Sequence, residues 1–378
     1  MAFLSKEHNK TITIIINTSW NIYNFRVGLL KALQEDGYKI VAIAPKDTFS
    51  HKLEELGFEY HEIKMNNKGT DPFEDLKLTM DFCRLFQKIK PVATLHYTIK
   101  PNIYATLAAR LAGVPVINNV SGLGTVFLDD GFSSKVARWL YRFSFQFSKT
   151  VFFQNEHDRE LFIKQKLVDA AKTDRLPGSG IDTNKYVPIK HAIDKDKVQF
   201  LFVARLLKDK GLFEYVDAAR QLKKKYPEVE FAVLGPFYPG NPTAITEEAM
   251  ERWQKEEVIT YLGETDNVES FIAKSDCVVL PSYREGLSRV LLEASIMARP
   301  IITTDVPGCM ELVDEGSNGF VCKVKDVDDL AEKMEKMLLL DDIERVKMGL
   351  HGRQKIIDEF DEQIVIDKYK AAIASVLE

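Results

Sequence analysis

The chain has 378 residues, 45% of them hydrophobic and 28% charged, with only 20 glycines and 14 prolines, a composition that excludes a disordered, collagen-like or low-complexity polymer and suffices for two ordinary domains. Its four cysteines, Cys83, Cys277, Cys309 and Cys322, stand far apart with no Cys-x-x-Cys pair, which excludes a disulfide framework or zinc ribbon and fits a reducing cytosol. The formal net charge of −5 is unevenly spread: the first 190 residues carry 26 Lys and Arg against 20 Asp and Glu, the rest 25 against 36.

A basic half joined to an acidic half implies different partners for the two. Nucleic acid is not among them, because no Lys/Arg run supplies phosphate-neutralising charge. An anionic membrane surface touching the first half stays open. No apolar run reaches the roughly 18–20 residues that span a bilayer. The opening Met-Ala-Phe-Leu-Ser-Lys-Glu-His-Asn-Lys is too polar for a signal peptide. A soluble intracellular protein is expected.

Taken in chain order, residues 11–17 form a β-branched run that predicts a buried parallel strand. Residues 23–36 follow with helical spacing (Phe25, Leu29 and Leu33 on one face), closed by Gly37. Further strands are predicted over 39–44, 58–63, 92–96, 114–118 and 150–153, with helices between several of them. The pattern weakens over 176–197, where Pro177, Gly178, Gly180 and Pro188 mark a linker. It restarts with a strand over 198–203, a helix over 212–226 and strands over 230–234 and 258–262. A helix over 268–275, a strand over 277–281, a helix over 288–298 and a strand over 301–304 continue it. Helices over 327–340 and 342–377, the latter broken near Phe360, end the chain. This alternation predicts an α/β protein of two doubly wound parallel sheets. Ligands in such sheets bind beyond the carboxyl ends of the strands, so the loops there carry the search, with a cleft between the domains as the default site.

The most informative of those loops is Pro281-Ser-Tyr-Arg-Glu-Gly-Leu-Ser-Arg-Val, between a strand and a helix. Glu285 lies at the strand's carboxyl end and Gly286 admits close backbone approach. Ser288 can cap the helix, and the amides of Leu287 to Val290 are expected as unpaired donors at its N-terminus, an anion site. Glu293 follows in the first turns. Two carboxylates beside a phosphate-binding helix start suit sugar hydroxyls, although capping and a solvated helix face are the plainer roles for such a pair. The loop Arg205-Leu-Leu-Lys-Asp-Lys210-Gly211 brings two cations to the same edge, where they would hold a diphosphate or simply face solvent. In the first half, Asn17-Thr18-Ser19-Trp20 follows the first strand, where a helix cap competes with a ligand role. His96 ends another strand, and Ser121-Gly122-Leu123-Gly124 follows a third, its glycines admitting a ligand or making a turn.

These residues resemble glycosyltransferase family 4. Glu285 and Glu293 match its motif of two glutamates separated by seven residues, and Arg205 with Lys210-Gly211 matches its diphosphate-binding pair. The likeness spans nearly the whole chain, including Phe25-Arg26, Pro101-Asn102 and Gly122-Leu123-Gly124. Within the family it is greatest to bacterial enzymes that extend undecaprenyl-diphosphate-linked sugars. The resemblance implies a GT-B fold, with two Rossmann-like domains facing an inter-domain cleft: 1–180 for the acceptor, 181–360 for the nucleotide-sugar donor, and a helix over 361–378 packing back on the first. It implies that Glu293 binds ribose, that Glu285 contacts the donor sugar, and that Gly286, Leu287 and Ser288 lie near the sugar's hydroxyls. The amides from Leu287 to Val290 would approach the phosphates, Arg205 and Lys210 would hold the diphosphate, and His96 would take the sugar's outer hydroxyls. Thr18, Ser19, Arg26, Gly122 and Gly124 would serve the acceptor. It implies retention of anomeric configuration. One departure is that many relatives carry a Gly-Gly pair where this chain has Thr18-Ser19-Trp20.

The expected activity is therefore transfer of a hexose or N-acetylhexosamine from a UDP-sugar to a lipid-diphosphate-linked saccharide. A nucleotide-sugar epimerase of similar fold and a catalytically silent sugar-nucleotide-binding subunit fit the same residues. No metal or other cofactor is expected: Asp194-Lys-Asp196 lies in the polar linker, Asp129-Asp130 reads as a solvated loop, and no His/Cys cluster has zinc spacing. Residues 133–149 mix four cations with five aromatics, which suits a helix on the inner face of a membrane, with a core helix as the alternative.

Overall fold

The computed structural model describes residues 10–66, 71–123, 131–188 and 197–377, save the side chains of Phe132 and Ser133. The chain divides into two units, one running to Gly180 and resuming at Glu362, the other spanning Ile181–Asp361.

The first unit is built on a seven-stranded, all-parallel sheet. Its strands are β1 (Thr11–Ile15), β2 (Lys39–Ala44), β3 (Glu59–Glu62), β4 (Ala93–Tyr97), β5 (Val116–Val120), β6 (Thr150–Phe153) and β7 (Thr173–Arg175), in the order β3-β2-β1-β4-β5-β6-β7. β-Branched residues dominate β1, which is buried on both faces as central parallel strands require. The segment expected as one helix over 23–36 is two, α1 (Ser19–Phe25) and α2 (Val27–Glu35), joined at Arg26, whose φ of −129° leaves the helical region. Helix α1 begins earlier than expected because Thr18 caps it, its hydroxyl accepting the Asn21 amide at 3.2 Å. Gly37, at φ +84°, ends α2 as anticipated. Helices α3 (Ser50–Glu55), α4 (Pro72–Ile89), α5 (Thr106–Ala112), α6 (Phe132–Ser144) and α7 (Glu156–Lys164) complete the crossovers. One apolar cluster packs α2 against the sheet through Ile12, Ile14, Leu29, Leu30 and Leu95; another packs α4 and α5 through Ile15, Val41, Phe82 and Ala108.

The second unit holds a six-stranded parallel sheet of β8 (Gln199–Val203), β9 (Glu230–Leu234), β10 (Thr260–Tyr261), β11 (Cys277–Leu280), β12 (Ile301–Thr304) and β13 (Gly319–Cys322), in the order β10-β9-β8-β11-β12-β13. Helices α8 (Leu212–Lys225), α9 (Glu247–Lys255), α10 (Val268–Lys274), α11 (Arg289–Ile296), α12 (Val327–Leu339) and α13 (Asp342–Glu359) surround one core. The last helix, α14 (Glu362–Leu377), belongs to the first unit, where Tyr369 is fully buried against Phe152 and Tyr97. Sequence reading missed β7 and β13. β13 opens on Gly319, where a Cβ would lie 2.1 Å from the Ile301 carbonyl, so the glycine is a close-packing requirement rather than a turn.

Strand order reverses beside β1 in the first sheet and beside β8 in the second. The ligand crevices of the two units are therefore expected at the carboxyl ends of β1/β4 and β8/β11. Among the described residues no helix is long and apolar enough to cross a membrane.

Candidate active site

In the second unit, the loops after β8 and β11 meet at the switch point. Lys210, in a single 3-10 turn, lies 2.5 Å through Nζ from Glu285 Oε1, both side chains largely shielded from water. The same carboxylate oxygen accepts from Ser282 Oγ at 2.9 Å, and Ser282 is fully buried. The two loops are tied through their backbones, the Tyr283 amide donating to the Asp209 carbonyl at 2.9 Å, and Tyr283 Oη donates to the Glu214 carboxylate on α8 at 2.7 Å. Burial, then the Glu214 carboxylate, pushes the Tyr283 hydroxyl pKa well up, which keeps it a donor. Two glycines make the approach feasible. A Cβ on Gly211 would sit 2.0 Å from the Pro281 carbonyl, and one on Gly308 would meet the carbonyls of Glu285 and Gly286 at 2.5 and 2.6 Å.

Gly308 also corrects one expectation. Its carbonyl accepts the Ser288 amide at 2.8 Å, so that amide is already engaged, and the Ser288 side chain makes no cap although it occupies the N-cap position. Gly286, Leu287 and Val290 line the same turn, half-buried. Glu293 lies one turn into α11, where Arg289 Nε donates to its Oε1 at 2.9 Å and Tyr186 Oη reaches the same oxygen at 3.3 Å. The Arg289 link follows the i, i+4 spacing of a helix and was readable. Tyr186, a hundred residues upstream, carried no signal. Arg205 is exposed and lies 5.1 Å over the Tyr238 ring, stacked on an aromatic face, with no carboxylate paired to it among the described residues. The site thus has two ion-paired carboxylates and, nearby in sequence, one guanidinium on an aromatic platform.

In the first unit, Ser19 is fully buried and spends its hydroxyl on the Pro45 carbonyl and Ser50. Trp20 beside it is 44% exposed. Arg26 is 4% exposed, its guanidinium 4.4 Å over the Tyr97 ring. Gly122 has φ +124°, and Gly124 lies outside the described residues, as do Asp129, Asp130, Asp194 and Asp196.

His96 requires a correction. It was expected at a cleft-facing strand end, but it is wholly buried, with Nε2 on Thr94 Oγ1 at 2.9 Å and Nδ1 on Thr106 Oγ1 at 3.0 Å. Burial lowers its pKa to about 3, so it stays neutral. The hydrogen bonds extend on one side to Thr13 and on the other through Thr106 to Asn118, Asn102 and Ser148, a closed polar network under α5. Because strand side chains alternate, the neighbour Tyr97 emerges on the opposite face, beside Arg26.

Helix α6, within the stretch expected at a membrane, turns an aromatic stripe outward. Trp139 is 63% exposed and stacks on Phe143 at 5.7 Å, with Val136, Lys135 and Arg142 also exposed. Tyr141 and Phe145 face the core. The core-helix alternative thus describes one face only. Among the described residues, no group of three or more His, Cys, Asp or Glu side chains is placed to hold a metal ion.

Residues 11–155 match the family model of glycosyl transferase 4-like domains and residues 186–355 that of glycosyl transferases group 1. The chain is 28% identical over 365 residues to the N,N'-diacetylbacillosaminyl-diphospho-undecaprenol alpha-1,3-N-acetylgalactosaminyltransferase of Campylobacter jejuni, covering 92% of this chain and 94% of that one. It is 26% identical over 309 residues to the UDP-Gal:alpha-D-GlcNAc-diphosphoundecaprenol alpha-1,3-galactosyltransferase of Escherichia coli, with 79% of each covered. In fold it is similar to Anabaena HepE, crystallised with UDP and glucose, at a TM-score of 0.79 and 18% identity, over 97% of this chain and 100% of that one. With a 4-like domain first and a group 1 domain second, each on its own parallel sheet, the chain belongs to the GT-B glycosyltransferases of family 4.

Proposed function

We propose that the chain is a retaining, metal-independent glycosyltransferase that moves an N-acetylhexosamine or hexose from a UDP-sugar to an undecaprenyl-diphosphate-linked saccharide, working at the cytoplasmic face of the inner membrane. The observation that carries this reading is the Lys210–Glu285 pair at the β8/β11 switch point. Each charge is held in place by its partner while water is largely excluded. A donor diphosphate draws Lys210 onto phosphate oxygens. Glu285, still held by Ser282, then turns its free acceptor capacity to the sugar's hydroxyls. Arg205, kept extended over Tyr238, adds a second cation where charge grows on the departing diphosphate, the service a bound divalent ion would otherwise give. Glu293, oriented by Arg289 and Tyr186, takes the ribose hydroxyls. Gly286, Leu287, Ser288 and Val290 shape the turn around the sugar and phosphates.

The first unit supplies the acceptor loops, with Thr18, Ser19, Arg26, Gly122 and Gly124. The similar proteins from Campylobacter and Escherichia, whose names specify diphospho-undecaprenol acceptors, support that division. The exposed aromatic and basic face of α6 is the membrane contact, since a lipid-linked acceptor remains at the bilayer surface. The test is a donor screen with purified protein, with and without an undecaprenyl-diphosphate-linked saccharide. UDP release that needs the acceptor is expected. Interconversion of free UDP-sugars would make the chain an epimerase, and tight binding without turnover a silent subunit.

A further inference from the structure

Arg26 is the most unusual charged group of the first unit. It is 96% withdrawn from solvent, yet its guanidinium meets no carboxylate among the described residues, and its Nε has no hydrogen-bond partner. Asn119 Oδ1 is likewise buried without a partner, Tyr97 Oη faces the Tyr369 hydroxyl, and all three residues, Arg26, Tyr97 and Asn119, lie on the same side of the sheet. The Tyr97 ring, directly under the guanidinium, offers its π face but no counter-charge. Asn119 is anchored through its amide, which donates to Tyr369 Oη at 3.0 Å, so α14 buttresses the group. Burying a cation uncompensated is strongly unfavourable, and such a group persists where it is needed to receive an anion.

The surroundings point the same way. Tyr97 ends β4 and Asn119 lies one residue before the end of β5, beside the β1/β4 switch point. Thr98, next in the chain, has φ +64°, a strained conformation for a β-branched residue, and a π-helical turn over Pro101–Ala105 follows. Lys100, between them, is held by Asp75 at 2.6 Å, so the irregular loop is fixed rather than loose.

We propose that Arg26, with the Tyr97 hydroxyl, forms an anion site of the first unit that receives the diphosphate of a prenyl-linked acceptor. This rests on the acceptor reading given above and extends it: a fork of guanidinium donors suits phosphate oxygens, and Tyr97, whose pKa is raised by burial, remains a donor. Tyr97, Asn119 and Tyr369 thereby join the site, although none was suggested by sequence.

The experiment is isothermal titration of the full chain with geranyl diphosphate, UDP being present at saturation so that the nucleotide site is filled. A binding event that survives UDP is expected in the unaltered protein, weakened at least tenfold by Arg26→Met and several-fold by Tyr97→Phe, which keeps the ring. Lys210→Ala should leave that event unchanged. Thermal melting supplies a second reading. Without ligand Arg26→Met should melt no lower than the unaltered protein, because an unpaired charge gives way to an apolar side chain of similar length, and geranyl diphosphate should no longer raise its midpoint. A lower melting point with undiminished affinity in both variants would make Arg26 structural and overturn the proposal. Inorganic phosphate binding where geranyl diphosphate does not would overturn it too, leaving a free-phosphate site. Absence of any UDP binding would instead count against the donor site, and the Arg26 titration would still read.

Discussion

The two units treat charge in opposite ways. At the β8/β11 edge every acidic group of the site has a partner, Glu285 with Lys210 and Ser282, Glu293 with Arg289 and Tyr186. At the carboxyl ends of β4 and β5, Arg26 is buried with none among the described residues. A compensated site is stable when empty and works by exchange: an incoming ligand replaces one partner with another. An uncompensated site stores its cost in the empty protein and recovers it on binding. Exchange suits a donor whose diphosphate must be gripped and then released, whereas a waiting charge suits an acceptor that has to be located by its phosphates.

The sharpest way to break this contrast is to remove the cation of the exchanging pair. Lys210→Ala takes the proposed diphosphate contact away and leaves Glu285 unbalanced, so transition-state stabilisation should fall by about 2–4 kcal/mol, or roughly 30- to 1,000-fold in kcat/KM. Steady-state rates at several donor concentrations check it. Arg205→Ala should lose a similar but smaller amount, since Arg205 is exposed. Next comes Glu293→Gln, expected to weaken UDP binding by about 1.5–3 kcal/mol while leaving kcat nearly intact, the loss of the proposed charge-assisted hydrogen bond to ribose. Fluorescence or calorimetric titration separates it from Glu285→Gln, which should reduce kcat more than affinity.

A smaller effect sharpens the reassignment of His96. Its folded pKa near 3 lies below the ordinary 6.5, so the unfolded chain binds a proton that the folded chain refuses. The stabilisation is complete above pH 6.5 and is lost as pH falls towards 3, amounting to about 2 kcal/mol of lost stability at pH 5. His96→Gln should flatten that part of the stability profile in urea unfolding, with little effect on donor KM. A large KM effect would return His96 to the sugar. The smallest expected change is on α6. Neutralising Lys135 to Gln should cost about 1 kcal/mol of binding to anionic liposomes, and more salt should erase the difference. Unchanged cosedimentation would remove α6 from the membrane account.

Much of this was legible in sequence because parallel sheets write their order in alternating runs. Residues 39–44, 150–153, 230–234 and 301–304 were read with the strand ends observed. Two edge strands escaped because their composition hides them: Thr173–Arg175 is three polar or charged residues, and Gly319–Cys322 opens on a glycine that reads as a turn. The convergence of Lys210 with Glu285, 75 residues apart, could be argued only from their shared position after strands; the ion pair itself is a tertiary fact. His96 exposes the limit of that argument. Position along a strand was read correctly, but face was not, and the alternation of Thr94 and His96 with Leu95 and Tyr97 was the overlooked clue. Arg26 was singled out only by resemblance. Its burial without a carboxylate among the described residues goes with the break between α1 and α2 and the return of α14, neither of which was read from local pattern.

The most direct test is a crossed titration of UDP and geranyl diphosphate against Glu293→Gln and Arg26→Met. The account predicts that Glu293→Gln weakens UDP tenfold or more and spares geranyl diphosphate, with Arg26→Met doing the reverse. Both ligands weakened by the same single substitution, or neither affected by either, would contradict a division of donor and acceptor between the two units.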